Sequence, residues 1–187
     1  MHNTVKIDRG TVLLAEPFLL DPNFRRSVIL LTEHTEEDGT VGFVLNKPIT
    51  MKINDLVEDF PEIESTVYLG GPVANETLHY IHDAGDILDE SIKVSEGVYW
   101  SGDFEKLKFL IKSKLIQPHN IRFFIGYSGW SPGQLNDELV YGSWVPAEMD
   151  PNYTFKMDHR KLWNQVMKHK GGQYAVIAEM PDAAFLN

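Results

Sequence analysis

Residues able to do chemistry are sparse in this chain, and those worth attention gather around one segment, Gly126-Tyr-Ser-Gly-Trp-Ser-Pro-Gly-Gln-Leu135. It joins an apolar run, residues 121 to 125, to an amphipathic run, residues 135 to 141. Gly126, Gly129 and Gly133 would let main-chain N–H groups approach a ligand where a Cβ would block it. Gln134, Glu138 and Tyr141 follow at spacings of four and three, which places them on or near one helix face. In that position Glu138 would serve as a general base only with a substrate beside it and a shifted pKa. The plain structural reading is a tight turn with Trp130 packed over it and a solvated or capping cluster behind.

The known phosphate and nucleophile signatures do not fit. Ser131-Pro-Gly-Gln134 is no dinucleotide fingerprint, and no GxxxxGK[ST] occurs. Gly126-Tyr-Ser-Gly-Trp130 departs from the nucleophile elbow because Trp130 stands where its second glycine belongs. No catalytic residue, metal site or cofactor is assigned. His79 and His82, beside Asp83, would point to opposite faces of a strand, and further zinc ligands are lacking at suitable spacing. His34 reads as a turn residue. Two further loops end strands and could carry backbone groups into a cleft: Gly70-Gly71-Pro72, and Asn46-Lys47-Pro48 with Asn46 as the polar anchor.

Charge narrows the partners. Of 17 basic and 27 acidic residues, residues 51–104 hold 2 and 12, leaving the remainder close to neutral. An acidic middle third repels phosphate backbones, so direct nucleic-acid binding is disfavoured. That block reads either as a solvated face or as a docking surface for a basic partner. The chain has no cysteine, so disulfides and thiolate chemistry are excluded. The polar start lacks a signal-peptide core, and no run approaches the roughly 18 apolar residues of a membrane span. These features lead to the expectation of a cytoplasmic protein with no membrane association; the oligomeric state is left open.

The elements that must position the candidates follow from periodicity. At 187 residues one domain is expected. Strands are expected at 11–15, 26–33, 40–46, 66–69, 78–81, 98–100 and 121–125. A final strand is expected at 174–179. The acidic turn Glu36-Glu-Asp-Gly39 should pair the second and third antiparallel, and Pro48 should stop the third. Helices are expected over 54–59, after a Ser101 cap, after a Ser131 cap with Pro132 in its first turn, and after an Asp158 cap. Early hairpins favour α+β with a mixed sheet.

Gly10-Thr-Val-Leu-Leu-Ala-Glu-Pro17, Asp21-Pro-Asn-Phe-Arg-Arg-Ser-Val-Ile-Leu-Leu31, Glu33-His34, Gly39, Gly42-Phe-Val-Leu-Asn-Lys-Pro48, Gly70-Gly-Pro-Val73, the Gly126–Leu135 segment, Glu138 and Gly142-Ser-Trp144 together resemble the YqgE/AlgH family of bacterial proteins, also called UPF0301 or DUF179. The resemblance runs in order along nearly the whole chain and is weakest over residues 83–120. It implies a single compact α+β domain, residues 1–187, with a mixed, partly barrel-like β-sheet flanked by helices. It supplies no accepted catalytic residues. One branch of the family is described as a transcriptional regulator, but nothing here resembles a helix-turn-helix with a basic recognition helix. The family motifs fall on Asn46, Gly70, Gly71, Pro72, Gly126, Gly129, Trp130, Gly133, Gln134 and Glu138, which form the candidate binding site. The leading expectation is a non-catalytic binding or regulatory module for an unknown protein or small-molecule ligand. The alternatives are a hydrolase-type enzyme using Glu138 with the Gly126–Gln134 turn, and a direct nucleic-acid regulator using the weakly basic C-terminal third.

Overall fold

The structure is a computed structural model that describes residues 5–182. Ten strands form its sheet: β1 Val12–Ala15, β2 Val28–Thr35, β3 Gly39–Val44, β4 Pro48–Lys52, β5 Thr66–Leu69, β6 Val73–His82, β7 Ile92–Ser95, β8 Val98–Trp100, β9 Ile121–Trp130 and β10 Trp144–Ala147. The helices are α1 Ile53–Leu56, α2 Phe104–Lys112, α3 Gln134–Val140, α4 Pro151–Phe155, α5 Leu162–Lys170 and α6 Gln173–Ala178. The main path runs β10-β1-β2-β3-β9-β6-β8-β7, with β4 and β5 attached through β9. All pairings are antiparallel except β5 with β9, so the sheet is mixed as expected. The path does not close. Its end strands β7 and β10 instead face one another across a hollow of about 560 Å³ that Val94, Ser95 and Ala147 help to line.

Alternation explains the core. Val12 and Leu14 face one apolar cluster with Leu30, Phe43, Trp163 and Met167, while Leu13 and Ala15 face another with Ile29, Leu31, Trp130 and Trp144. Strands β1 and β2 are therefore covered on both faces, which is why they read as unbroken apolar runs. A third cluster packs Leu107, Leu110 and Ile111 of α2 onto Val67, Tyr80 and Phe123.

Strand β9 holds the molecule together. Its first half pairs with β5 through Phe123, Phe124 and Ile125 and with β6 on the other side. Its last three residues, Ser128 to Trp130, pair instead with Gly42, Val41 and Thr40 of β3. The change of partner occurs at Gly126, whose φ is 65°. A Cβ there would stand 2.8 Å from the Val73 carbonyl oxygen and 2.9 Å from that of Gly71. Opposite this point, β6 slips from the Val73–Tyr127 pair to the Leu78–Ile125 pair.

Several expectations are corrected. Gly126–Trp130 is strand rather than turn, because β3 supplies hydrogen-bond partners beyond the bend. Pro48 opens β4 instead of ending the preceding strand's run; at the sheet edge its missing N–H costs no ladder bond. Gly133, not Ser131, is the N-cap residue of α3. Asp103, not Ser101, caps α2: its carboxylate accepts from the Lys106 N–H at 2.8 Å. That helix ends at Lys112, and Leu115 beyond it is exposed. Lys161, three residues after Asp158, precedes α5. Residues 174–179 fall largely within α6 rather than a strand; Tyr174, Ile177 and Ala178, spaced as helix neighbours, pack on the core. Strands β7 and β10 and helix α4 were missed altogether.

Candidate functional site

Ser131, Pro132 and Gly133 turn the chain from β9 into α3, and Gly133 takes the left-handed conformation that begins the helix. The turn is locked by Gln134, whose Oε1 accepts the Ser131 N–H at 3.0 Å. The Gln134 side-chain amide then donates to Glu138 Oε1 at 2.9 Å, one helical turn on. The other Glu138 oxygen, Oε2, accepts two indole N–H groups: Trp130 Nε1 at 2.9 Å and Trp144 Nε1 at 2.7 Å. Three of about four acceptor positions on this carboxylate are occupied. All three partners are neutral, and among the described residues no cation pairs with Glu138.

The two indoles meet edge to face, their centroids 5.9 Å apart at 80°. Phe24 continues the aromatic wall, edge-on to Trp144 at 5.5 Å. A hollow of about 360 Å³ lies against these rings, and Leu19, Asp21, Gln134 and Ser143 complete its lining with Gly129 and Glu138. The loop between β1 and β2 thus faces α3 across it, tied to the segment after α3 by Glu16 N–H donating to Ser143 O at 3.0 Å.

The sequence-level candidates divide into separate groups. Gly129, Trp130, Gln134 and Glu138 line this hollow. Gly133 borders a smaller one with His34 and Asn136. Gly70, Gly71 and Gly126 lie where backbone packs on backbone: a Cβ on Gly70 would stand 2.4 Å from Gly126 O, and one on Gly71 2.2 Å from Tyr127 O. Gly70 O also accepts the buried Ser128 hydroxyl at 3.0 Å. Pro72 follows, exposed. Gly126 and Trp130 are four strand residues apart, roughly 13 Å, so these glycines do not share the aromatic hollow.

Asn46 has a different task. Its Oδ1 accepts Val28 N–H at 2.9 Å and its Nδ2 donates to Arg26 O at 2.8 Å, so the side chain continues the β2–β3 ladder where the strands part. The adjacent Lys47 donates to Pro22 O at 2.6 Å; burial lowers its pKa, with Asp21 nearby acting in the opposite direction.

His79 and His82 lie on opposite faces of β6. His79 packs on Phe43, ring centroids 5.0 Å apart, whereas His82 stacks on Tyr99 at 5.9 Å. The hollow residues that sequence reasoning missed are Leu19, Asp21, Phe24, Ser143 and Trp144. Asp21-Pro-Asn-Phe24 and Gly142-Ser-Trp144 both carry the family resemblance, and their common chemistry with Trp130 becomes visible only once the loops meet.

The fold and this hollow define an α+β protein with an open mixed sheet and an aromatic-walled recess at the end of its central strand. The chain belongs to the AlgH-like family, whose model matches residues 12–175. A UPF0301 protein of Chlorobaculum parvum is 40% identical over 178 residues, covering 95% of each chain. Another from Chlorobaculum tepidum is 41% identical over 178 residues with the same coverage. Among solved structures, AlgH from Pseudomonas aeruginosa shares the fold with a TM-score of 0.74 at 24% identity, over 97% of this chain and 98% of that one. A crystal structure of a Corynebacterium diphtheriae protein gives a TM-score of 0.75 at 22% identity, over 94% and 93%.

Proposed function

We propose that this chain is a non-catalytic binding or regulatory module whose ligand enters the hollow walled by Phe24, Trp130 and Trp144. The observation that carries this reading is the engagement of Glu138. Its carboxylate, which the enzymatic reading needs as its base, is already the shared acceptor of two buried indoles and a glutamine amide. Drawing a substrate proton to it would disturb the bonds that shape the recess. Its arrangement suits a wall that must hold its form. Aromatic walls with a few fixed polar groups are the usual make-up of ligand recesses. The hydrolase alternative loses its base by the same argument. Direct nucleic-acid binding is opposed by the net charge of −10.

A stability screen of the full chain against metabolites and short peptides tests the reading. Compounds that raise the melting temperature should lose their effect in Gln134→Ala, which removes an exposed contact, and in Ser143→Phe, which fills the recess. Hits that stabilise both variants as well as the parent would place binding elsewhere. Turnover in broad activity profiling that Glu138→Gln abolishes while the fold survives would restore the enzymatic alternative.

A further inference from the structure

The Glu138 carboxylate is partly buried, it faces a hollow, and each of its three hydrogen-bond partners is uncharged. A carboxylate in such a place is ordinarily matched by a cation. The cations of the neighbouring β1–β2 loop and of the segment after β3 are engaged elsewhere. Arg25 pairs with Asp182 at 2.8 Å, Arg26 lies over the Trp163 ring at 4.6 Å, and Lys47 reaches Pro22 O, near enough to Asp21 for their charges to attract but not paired with Glu138. Asp21 adds a second carboxylate to the lining; Asn23 N–H donates to its Oδ1 at 2.9 Å. The remaining wall is aromatic, which attracts cations through the ring quadrupole and stacks on planar ones.

The surroundings indicate what kind of molecule brings the cation. The loop that contributes Leu19 also carries Phe18 and Leu20, 63% and 73% exposed; the helix that contributes Glu138 continues into Val140 and Tyr141, 88% and 87% exposed. Single exposed apolar residues are ordinary. Phe18 and Leu20 on one segment and Tyr141, on the Glu138 side of the other, fit the apolar rim of a protein contact.

We infer that the recess takes an arginine side chain of a partner protein, its guanidinium lying between the aromatic wall and the Asp21 and Glu138 carboxylates, with apolar neighbours of that arginine resting on the flanking segments. This rests on the binding reading given above and specifies its ligand. Arginine suits the site better than lysine because a flat, weakly hydrated guanidinium can stack and bond at once.

Calorimetry on the full chain decides it, with acetyl-Leu-Arg-Leu-amide as the probe. The same peptide with citrulline, which keeps the shape and loses the charge, is the control. The arginine peptide should bind about tenfold or more tightly than the citrulline peptide, as expected for a charge-assisted contact. Asp21→Asn, an exposed change with little risk to folding, should shrink that ratio. Arginine amide alone should bind more weakly than the tripeptide. Equal binding of both peptides overturns the inference. If Ser143→Phe then abolishes both, the recess remains a binding site and only the charge argument falls. Binding of arginine amide as tight as the tripeptide removes the protein partner. Failure of both peptides to bind overturns the inference outright, while the compound screen still judges the broader reading.

Discussion

Trp130 and Trp144 share one acceptor atom: both indole N–H groups converge on Oε2 of Glu138, at 2.9 Å and 2.7 Å, although the first ends β9 and the second begins β10. A single carboxylate thereby fixes the angle between two strands that do not pair with each other, and it sets the shape of the recess beside them.

Removing that acceptor should be expensive. Glu138→Ala leaves two indole donors without a partner at positions only 5% exposed, and at about 1–3 kcal/mol for each unsatisfied group the loss should reach about 2–6 kcal/mol. Glu138→Gln should cost about 1 kcal/mol, because its amide oxygen can still accept both indoles while its NH₂ displaces Gln134. Urea unfolding followed by tryptophan fluorescence measures both. Equal losses would show that the charge, not the geometry of acceptance, holds the tryptophans.

Asn46→Ala should destabilise the protein by about 1–3 kcal/mol by leaving the buried Val28 N–H without an acceptor. Asn46→Asp keeps that acceptor but loses the donor to Arg26 O, so it should not restore full stability. Hydrogen exchange at the Val28 amide is the local readout, and it should accelerate in the alanine variant. An unchanged Val28 protection factor would exclude the ladder role.

The contact between Gly126 and Gly71 predicts an asymmetry among glycines. Gly126→Ala combines a φ of 65° with carbonyl oxygens 2.8 and 2.9 Å from the new methyl group. Backbone strain of about 1–2 kcal/mol then adds to overpacking of about 1–3 kcal/mol. Gly142→Ala has a φ of 80° but nothing within 4 Å, so only the strain of about 1–2 kcal/mol applies. Chemical denaturation of the two variants side by side should rank them in that order.

Acid should weaken the fold through His82, which is buried, and His79, which is half-buried. His82 is fully buried, Nε2 lies 2.7 Å from Ser101 O, and Nδ1 accepts the Ala84 N–H at 3.2 Å. Burial lowers its pKa from the ordinary 6.5, and it lowers that of His79 as well. Below pH 6.5 the unfolded chain therefore binds more protons than the folded one, so stability is complete above that value and declines as pH falls toward the depressed folded pKa values. Unfolding free energies at pH 7.5 and 5.5 should differ more in the parent than in a His79→Gln, His82→Gln double variant. A parent and double variant with the same slope would remove the histidines as the cause.

Much of the framework is legible along the chain. The apolar runs at β1 and β2, the acidic hairpin between β2 and β3, and strand β5 are local patterns that neighbouring residues suffice to specify. The α5 stripe of Leu162, Val166 and Met167 is likewise local, and all three are buried. Residues 174–179 were not legible, because a short apolar stretch fits either period until its surroundings choose one. Gly126-Tyr-Ser-Gly-Trp130 was not legible as strand for a related reason: its last three residues take their ladder partners from Thr40, Val41 and Gly42, more than eighty residues earlier.

The same division governs the candidate site. Residue types and spacing were enough to bring Gln134 and Glu138 together, since one helical turn separates them and their contact is local. The sequence also marked Asn46, Gly70, Gly71 and Gly126 as special, because each answers a backbone requirement that few other residues meet. Only the folded chain could separate these ladder and packing positions from the recess, and only it could bring Phe24 and Trp144 to Trp130. That pairing depends on two distant loops held across a sheet end, and no interaction between near neighbours encodes the distance between them.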